Sequence, residues 1–176
     1  MATGLLIVCT GKDTKRINEY QDRPKEYTGT ITFGATTPSY DAETEIDAHY
    51  PIEHITPELL EQARQKFLGE IEQVPPMFSA IKVDGQPLYK MARKGESIKV
   101  EARKVHIYAM EFTRIELPEV DFRVECSKGT YIRSLAFDLG KALKSGAYLS
   151  ALRRTKIGEF EVDKAKSVSE WVAWMD

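Results

Sequence analysis

Between Phe122 and Leu143 the apolar residues change period, and that change dictates a strand joined to a helix by a tight corner. Phe122, Val124 and Cys126 alternate with polar residues, the period of a half-buried strand. Ile132, Leu135, Ala136, Leu139 and Leu143 then recur at helical spacing. Gly129 permits a sharp turn between them, and Thr130 is a suitable N-cap. The corner presents Tyr131 and Arg133 beside a helix N-terminus, where N–H groups and a guanidinium converge on a place for a phosphate or a catalytic carboxylate. Taken alone, an arginine in a first helical turn is more often a solvated residue or a structural ion pair.

The rest of the chain mixes hairpin strands with helices, which predicts an α+β fold rather than a doubly wound sheet. Gly4-Leu5-Leu6-Ile7-Val8-Cys9 reads as a buried segment, and a short helix is expected through Ile17 to Tyr20. Tyr27 to Thr36 is β-rich, and Thr37-Pro38-Ser39-Tyr40-Asp41 is a loop by composition. Thr56-Pro57 starts a helix that Gly69 ends, and Val74-Pro75-Pro76-Met77-Phe78-Ser79 is extended. Strands are expected over 105–115 and 120–126 with a turn at Leu117-Pro118-Glu119. A basic segment, a short strand containing Gly158 and a final helix with a Ser167–Glu170 capping box follow.

One domain accommodates 176 residues, and a formal net charge of −2 confines any nucleic-acid site to a local patch. Lys90, Arg93, Lys94, Lys99, Arg103 and Lys104 form one basic run, and Arg153, Arg154 and Lys156 another. Cys9 and Cys126 make no CxxC pair and read as reduced core thiols of a cytoplasmic protein. His49, His54 and His106 lack metal-ligand spacing, so no metal is expected. No apolar stretch reaches transmembrane length.

Several segments in order resemble the TruB-type tRNA pseudouridine synthases. They are Ala2-Thr3-Gly4-Leu5-Leu6, Gly11-Lys12-Asp13-Thr14-Lys15, Lys25-Glu26-Tyr27, Pro75-Pro76-Met77-Phe78-Ser79-Ala80-Ile81-Lys82, Gly85, Leu88-Tyr89 and Ala92-Arg93-Lys94-Gly95. Cys126 to Arg133 and Leu152-Arg153-Arg154-Thr155 complete the series. The resemblance implies a pseudouridine-synthase fold, a mixed and largely antiparallel sheet with flanking helices and an RNA-gripping insertion over about 75–104. It implies isomerisation of the uridine at position 55, in the TΨC loop of tRNA, by an essential aspartate without metal or organic cofactor. The target nucleotide must leave its stack to be reached.

By the same resemblance, Tyr27 stacks on the flipped base and is placed to move the C5 proton. Arg133 orients the catalytic aspartate, and Tyr131 and Leu152 wall the pocket. Lys82, Tyr89, Arg93 and Lys94 contact RNA, with Lys128, Arg153 and Arg154 also expected on it. Read from the residues alone, Tyr27 is a strand aromatic and Leu152 ordinary core.

The family's aspartate lies in a Gly-Thr-Leu-Asp-Pro-Leu-Ala-Thr-Gly type of segment, whose match here begins at Ala2-Thr3-Gly4. The aspartate is therefore expected just upstream of the first residue, with the family's first strand, helix and histidine-bearing loop. The chain reads as an N-terminally truncated single domain, 1–176, without a separate C-terminal RNA-binding domain and inactive alone; a non-catalytic tRNA-binding protein is the alternative. Asp13, Asp41 and Asp138 belong to other motifs, and none is expected to serve as the nucleophile. An apolar edge around Leu5 to Val8 is expected to favour self-association.

Overall fold

The structure, a computed structural model, describes residues 2–83, 85–92, 94, 98 and 100–175. A three-residue strand β1 (Ala2–Gly4) precedes a helical turn and α1 (Ile17–Asp22). Next come β2 (Lys25–Phe33), β3 (Ala35–Thr36), β4 (Ala48–His49), α2 (Pro57–Gln65) and β5 (Gly69–Gln73). A small hairpin, β6 (Lys82–Val83) and β7 (Gln86–Pro87), leads into α3 (Leu88–Ala92). The long strands β8 (Arg103–Glu116) and β9 (Glu119–Cys126) are followed by α4 (Ile132–Ala142), β10 (Ala147–Ile157), β11 (Phe160–Glu161) and α5 (Val168–Met175).

The main sheet runs β1-β10-β2-β9-β8-β5, with β11 paired to β10. The β1–β10 pair is parallel, and all the other pairings in this sheet are antiparallel. This is the mixed, largely antiparallel α+β arrangement that the sequence predicts. One face of the sheet carries Ile31, Phe33, Phe122, Val124, Cys126 and Leu149, all buried. Helix α4 lies against that face with Ile132, Leu135, Ala136 and Leu139, each at most 5% exposed. Burying each such leucine contributes about 1.5–3 kcal/mol. At the end of α4, Gly140 passes so close to Ala147 that a Cβ would stand 2.5 Å from its backbone nitrogen. The opposite face holds threonines and ion pairs, among them Thr30 to Asp121 (2.7 Å) and Arg114 to Asp121 (2.7 Å).

Five expectations change. Of the apolar Leu5–Val8 run only Leu5 is buried, while Leu6 and Val8 are 72% and 75% exposed. A run of this length carries no information about which of its faces meets a partner element. Cys9 lies outside any strand, whereas Cys126 is fully buried in β9 and burial pushes its thiol up to about 11. The helix begun at Thr56 ends at Gln65, and Gly69, with φ +83°, opens β5 instead. The basic segment is no separate element, because Arg153, Arg154 and Lys156 belong to β10. Gly158, expected within a strand, lies with φ +54° in the turn between β10 and β11. Elsewhere the local signals hold: Thr56 Oγ1 accepts from Leu59 N at 3.3 Å, and Ser167 and Glu170 form the reciprocal capping pair. Among the described residues no helix is long and apolar enough to cross a membrane.

Candidate active site

The corner after β9 is built by backbone closure. Gly129 takes φ +79°, and Thr130 Oγ1 donates to Ser127 O at 2.9 Å. The helix starts one residue later than expected, with Tyr131 as its N-cap and no side-chain cap of its own. Thr130 therefore stands one residue too early for its hydroxyl to serve as the cap, and it closes the turn instead. The tie comes from Gln73 at the end of β5, 2% exposed. Its Oε1 accepts from Tyr131 N at 2.7 Å, and its Nε2 donates to Tyr131 O at 3.0 Å. Gln73→Leu strips both bonds; Tyr131 O keeps its bond from Leu135 N at 3.1 Å, but the Tyr131 N–H is left unpaired, and unfolding stability should fall by about 1–3 kcal/mol. Urea denaturation checks this, and a loss under 1 kcal/mol would show that the corner holds without Gln73.

Arg133 is the second residue of α4, and its guanidinium is engaged on several sides. Nη1 donates to Asp41 Oδ2 at 3.1 Å and to Ser39 O at 3.2 Å, and Nη2 to Phe78 O at 2.9 Å. Its Nε makes no hydrogen bond among the described residues, so a donor remains for a second acceptor. Asp41 is 8% exposed, and its Oδ1 accepts from Ser39 Oγ at 2.5 Å and Glu43 N at 3.1 Å. A carboxylate so removed from water requires this set of donors. Arg133 is thus not left without an acceptor, and Asp41, which the sequence assigns to another motif, belongs to the site.

The loop that presents Asp41 is fixed at both ends. Thr37 Oγ1 donates to Asp41 O at 2.6 Å, and Ser39 N donates to Thr44 Oγ1 at 3.1 Å. Leu149 N donates to Tyr40 O at 3.0 Å, which staples the loop to β10. Between loop, helix and strand lies a cavity of about 250 Å³ lined by Ala2, Asp41, Glu43, Phe78, Arg133 and residues 149–152. Leu152 is in its wall. Ala2 stands opposite Leu152 in the register of β1 with β10.

Tyr27 is not part of that lining. In the register of β2 with β10 it pairs with Arg154, two positions beyond the Gly29–Leu152 pair, about 7 Å along the strand. Burial raises its phenol above the ordinary tyrosine value, and a hydrogen bond with Arg154 offsets part of that rise. The hydroxyl is therefore protonated at neutral pH. Tyr131 contributes its backbone to the Gln73 tie and does not line the cavity.

The residues expected on RNA are scattered. Lys82 lies on β6, Tyr89 on α3, and Lys94 is exposed just after it; Arg93 lies outside the described residues. Lys128 is exposed and paired with Asp22 at 2.6 Å, in a cleft it shares with Lys25, Arg103 and Lys104. Arg153 and Arg154 alternate across β10. Arg154 Nε donates to Leu5 O at 2.8 Å, while Arg153 lines a hollow with Thr3, Thr30 and Asp121. Among the described residues no three His, Cys, Asp or Glu side chains are grouped to hold a metal.

Sequence reasoning missed Asp41, Phe78 and Gln73. The Asp41 contact spans 92 positions, beyond any local pattern, although a turn-rich Pro-Ser-Tyr-Asp stretch beside a strand is a signal to weigh. Gln73 could be found only by asking what satisfies the corner's backbone.

The sequence profile of the TruB family pseudouridylate synthase N-terminal domain matches residues 1–132. The chain is 61% identical over 169 residues to tRNA pseudouridine synthase B of Flavobacterium johnsoniae, spanning 96% of this chain and 74% of that protein. It is 54% identical over 176 residues to tRNA pseudouridine synthase B of Phocaeicola vulgatus, spanning all of this chain and 75% of that one. Among solved structures it resembles a chain of a Cbf5-Nop10-Gar1 complex at 26% identity and TM-score 0.71, covering 99% of this chain and 43% of that one. A chain from an H/ACA RNP bound to a substrate RNA containing 2'-deoxyuridine is similar at 25% identity and TM-score 0.58, covering 87% and 34%. With the buried Arg133–Asp41 pair at the foot of a cavity on a mixed sheet, these likenesses show that the chain belongs to the TruB family of pseudouridylate synthases.

Proposed function

We propose that this cavity takes one uridine of tRNA, at position 55 in the TΨC loop, and isomerises it to pseudouridine. The Arg133–Asp41 pair beside the Leu152 wall carries the reading, because it holds a guanidinium with a donor to spare against a space for one flipped base. The N1–C1′ bond breaks and a C5–C1′ bond forms; the C5 proton leaves and N1 gains one, so atoms balance without an outside reactant. The family's nucleophilic aspartate enters, in this reading, from residues before Ala2, where β1 meets Leu152. Arg133 Nε–H receives that carboxylate and fixes its direction, while Asp41 holds the guanidinium from the other side. Tyr27, two positions along β2 from the Leu152 wall, supplies a neutral ring that stacks on the base where it projects beyond the cavity lining. Lys82, Tyr89, Arg93, Lys94, Lys128, Arg153 and Arg154 contact the RNA around the target, with phosphate contacts that position and do not specify.

The names of the relatives support a tRNA substrate, and the RNA in a related structure supports an RNA partner. The test uses two otherwise identical tRNA transcripts, with uridine or cytidine at position 55, and a chain extended N-terminally through a Leu-Asp-Pro segment. Pseudouridine should form only in the first, at that position. Product elsewhere in both transcripts would reject the assignment to position 55.

A further inference from the structure

Helix α4 grips two neighbouring loop residues at once. Arg133 binds Asp41, and Phe137, one turn further along the same helix face, stacks on Tyr40. The two rings lie 4.0 Å apart between centroids and 15° from parallel. Tyr40 has φ +62°, a left-handed conformation in which a tyrosine is strained and glycine is not. Its N donates to Thr37 O at 3.1 Å and its O accepts from Leu149 N, so hydrogen bonds hold the backbone whatever side chain it carries. Burial, with the negative charges of Asp138 and Asp47, raises the Tyr40 phenol and keeps it protonated. Backbone demand does not account for a large aromatic side chain here; the stack on Phe137 does.

We propose that the Tyr40–Phe137 stack is a positioning device for the catalytic pocket. It fixes the direction of Asp41 and, through it, the guanidinium of Arg133. The two bonds of Arg133 to the loop, to Asp41 Oδ2 and Ser39 O, both leave Nη1, so between loop and helix they act as one pivot. A second contact one helical turn away, about 5.4 Å along the axis, removes the rotation about it. Ser39 Oγ and Glu43 N hold the Asp41 carboxylate only within its own loop, so they cannot supply that constraint. Productive geometry tolerates about 0.5 Å, and a displacement of about 1 Å can lower a rate about a hundredfold. The kinetic part of this inference rests on the isomerase reading; its spectroscopic part does not.

Two variants separate positioning from stability. Phe137→Leu keeps apolar volume without a ring, and Tyr40→Gly relieves the backbone while abolishing the stack. In the extended chain each should lower kcat about tenfold or more with KM for tRNA within about twofold, and the double variant should fall no further than either single one. Phe137→Tyr, which keeps the stack, should retain kcat within about twofold. In the chain as it stands, the ¹H–¹⁵N signal of Arg133 Nε–H should be sharp in the parent and shifted or broadened in both variants. That arm reads the clamp even if the parent makes no pseudouridine. An unchanged Nε–H signal in both variants would overturn the proposal. With an active parent, so would kcat within twofold in both, or a raised KM with kcat preserved, which would make Tyr40 an RNA contact.

Discussion

Replacing Arg133 with lysine, in a chain carrying the Leu-Asp-Pro extension, should lower pseudouridine formation at saturating tRNA by about two to three orders of magnitude. A lysine retains the charge but offers one compact ammonium. It cannot reach Asp41 Oδ2, Ser39 O and Phe78 O together and still direct a donor at a second carboxylate. Misdirected electrostatic groups cost about 10²–10³ in kcat when the transition state is what they stabilise. The split should fall on kcat, since the phosphate contacts proposed to bind tRNA lie elsewhere. Arg133→Ala adds a folding cost, because Asp41, 8% exposed, loses its cation; about 3 kcal/mol is expected, at the low end for a broken buried pair since the arginine side chain is 21% exposed. An Arg133→Lys enzyme with kcat within threefold of the parent would show that the guanidinium has no orienting role.

Local pattern made much of the scaffold legible. The β8–β9 hairpin and α4 announce themselves by periods of two and 3.6, and Thr56 and Ser167 by capping chemistry. Strand β10 did not, because register shifts at Leu149/Ala151 and Arg154/Lys156 break the alternation that would have revealed it. The exposed faces of Leu6 and Val8 were unreadable for a different reason, since an apolar run records a capacity for burial and not a partner. In the candidate site, matching segments supplied Leu152 and Arg133 as expectations, and both line the cavity. Asp41, Phe78 and Gln73 depended on contacts across 92, 55 and 58 positions, set by how loop, insertion and sheet edge close on α4. No single segment encodes those contacts, so a residue-by-residue carry-over from a family cannot supply them unless the motif itself contains the partner.

Asp41 also sharpens what the cavity requires. Both its oxygens are occupied, by Arg133 on one side and by Ser39 and Glu43 on the other. A carboxylate so held is a poor nucleophile, because attack would break its hydrogen bonds and strand the partly buried Arg133 guanidinium. Pseudouridine formation in a TΨC stem-loop, compared among three chains, decides whether a second carboxylate is needed. They are the 176 residues alone, a chain extended upstream through Leu-Asp-Pro, and the same extension with Asn in place of that Asp. Only the Asp-bearing extension should produce pseudouridine; turnover by the 176 residues alone would contradict the account and make Asp41 the nucleophile to examine.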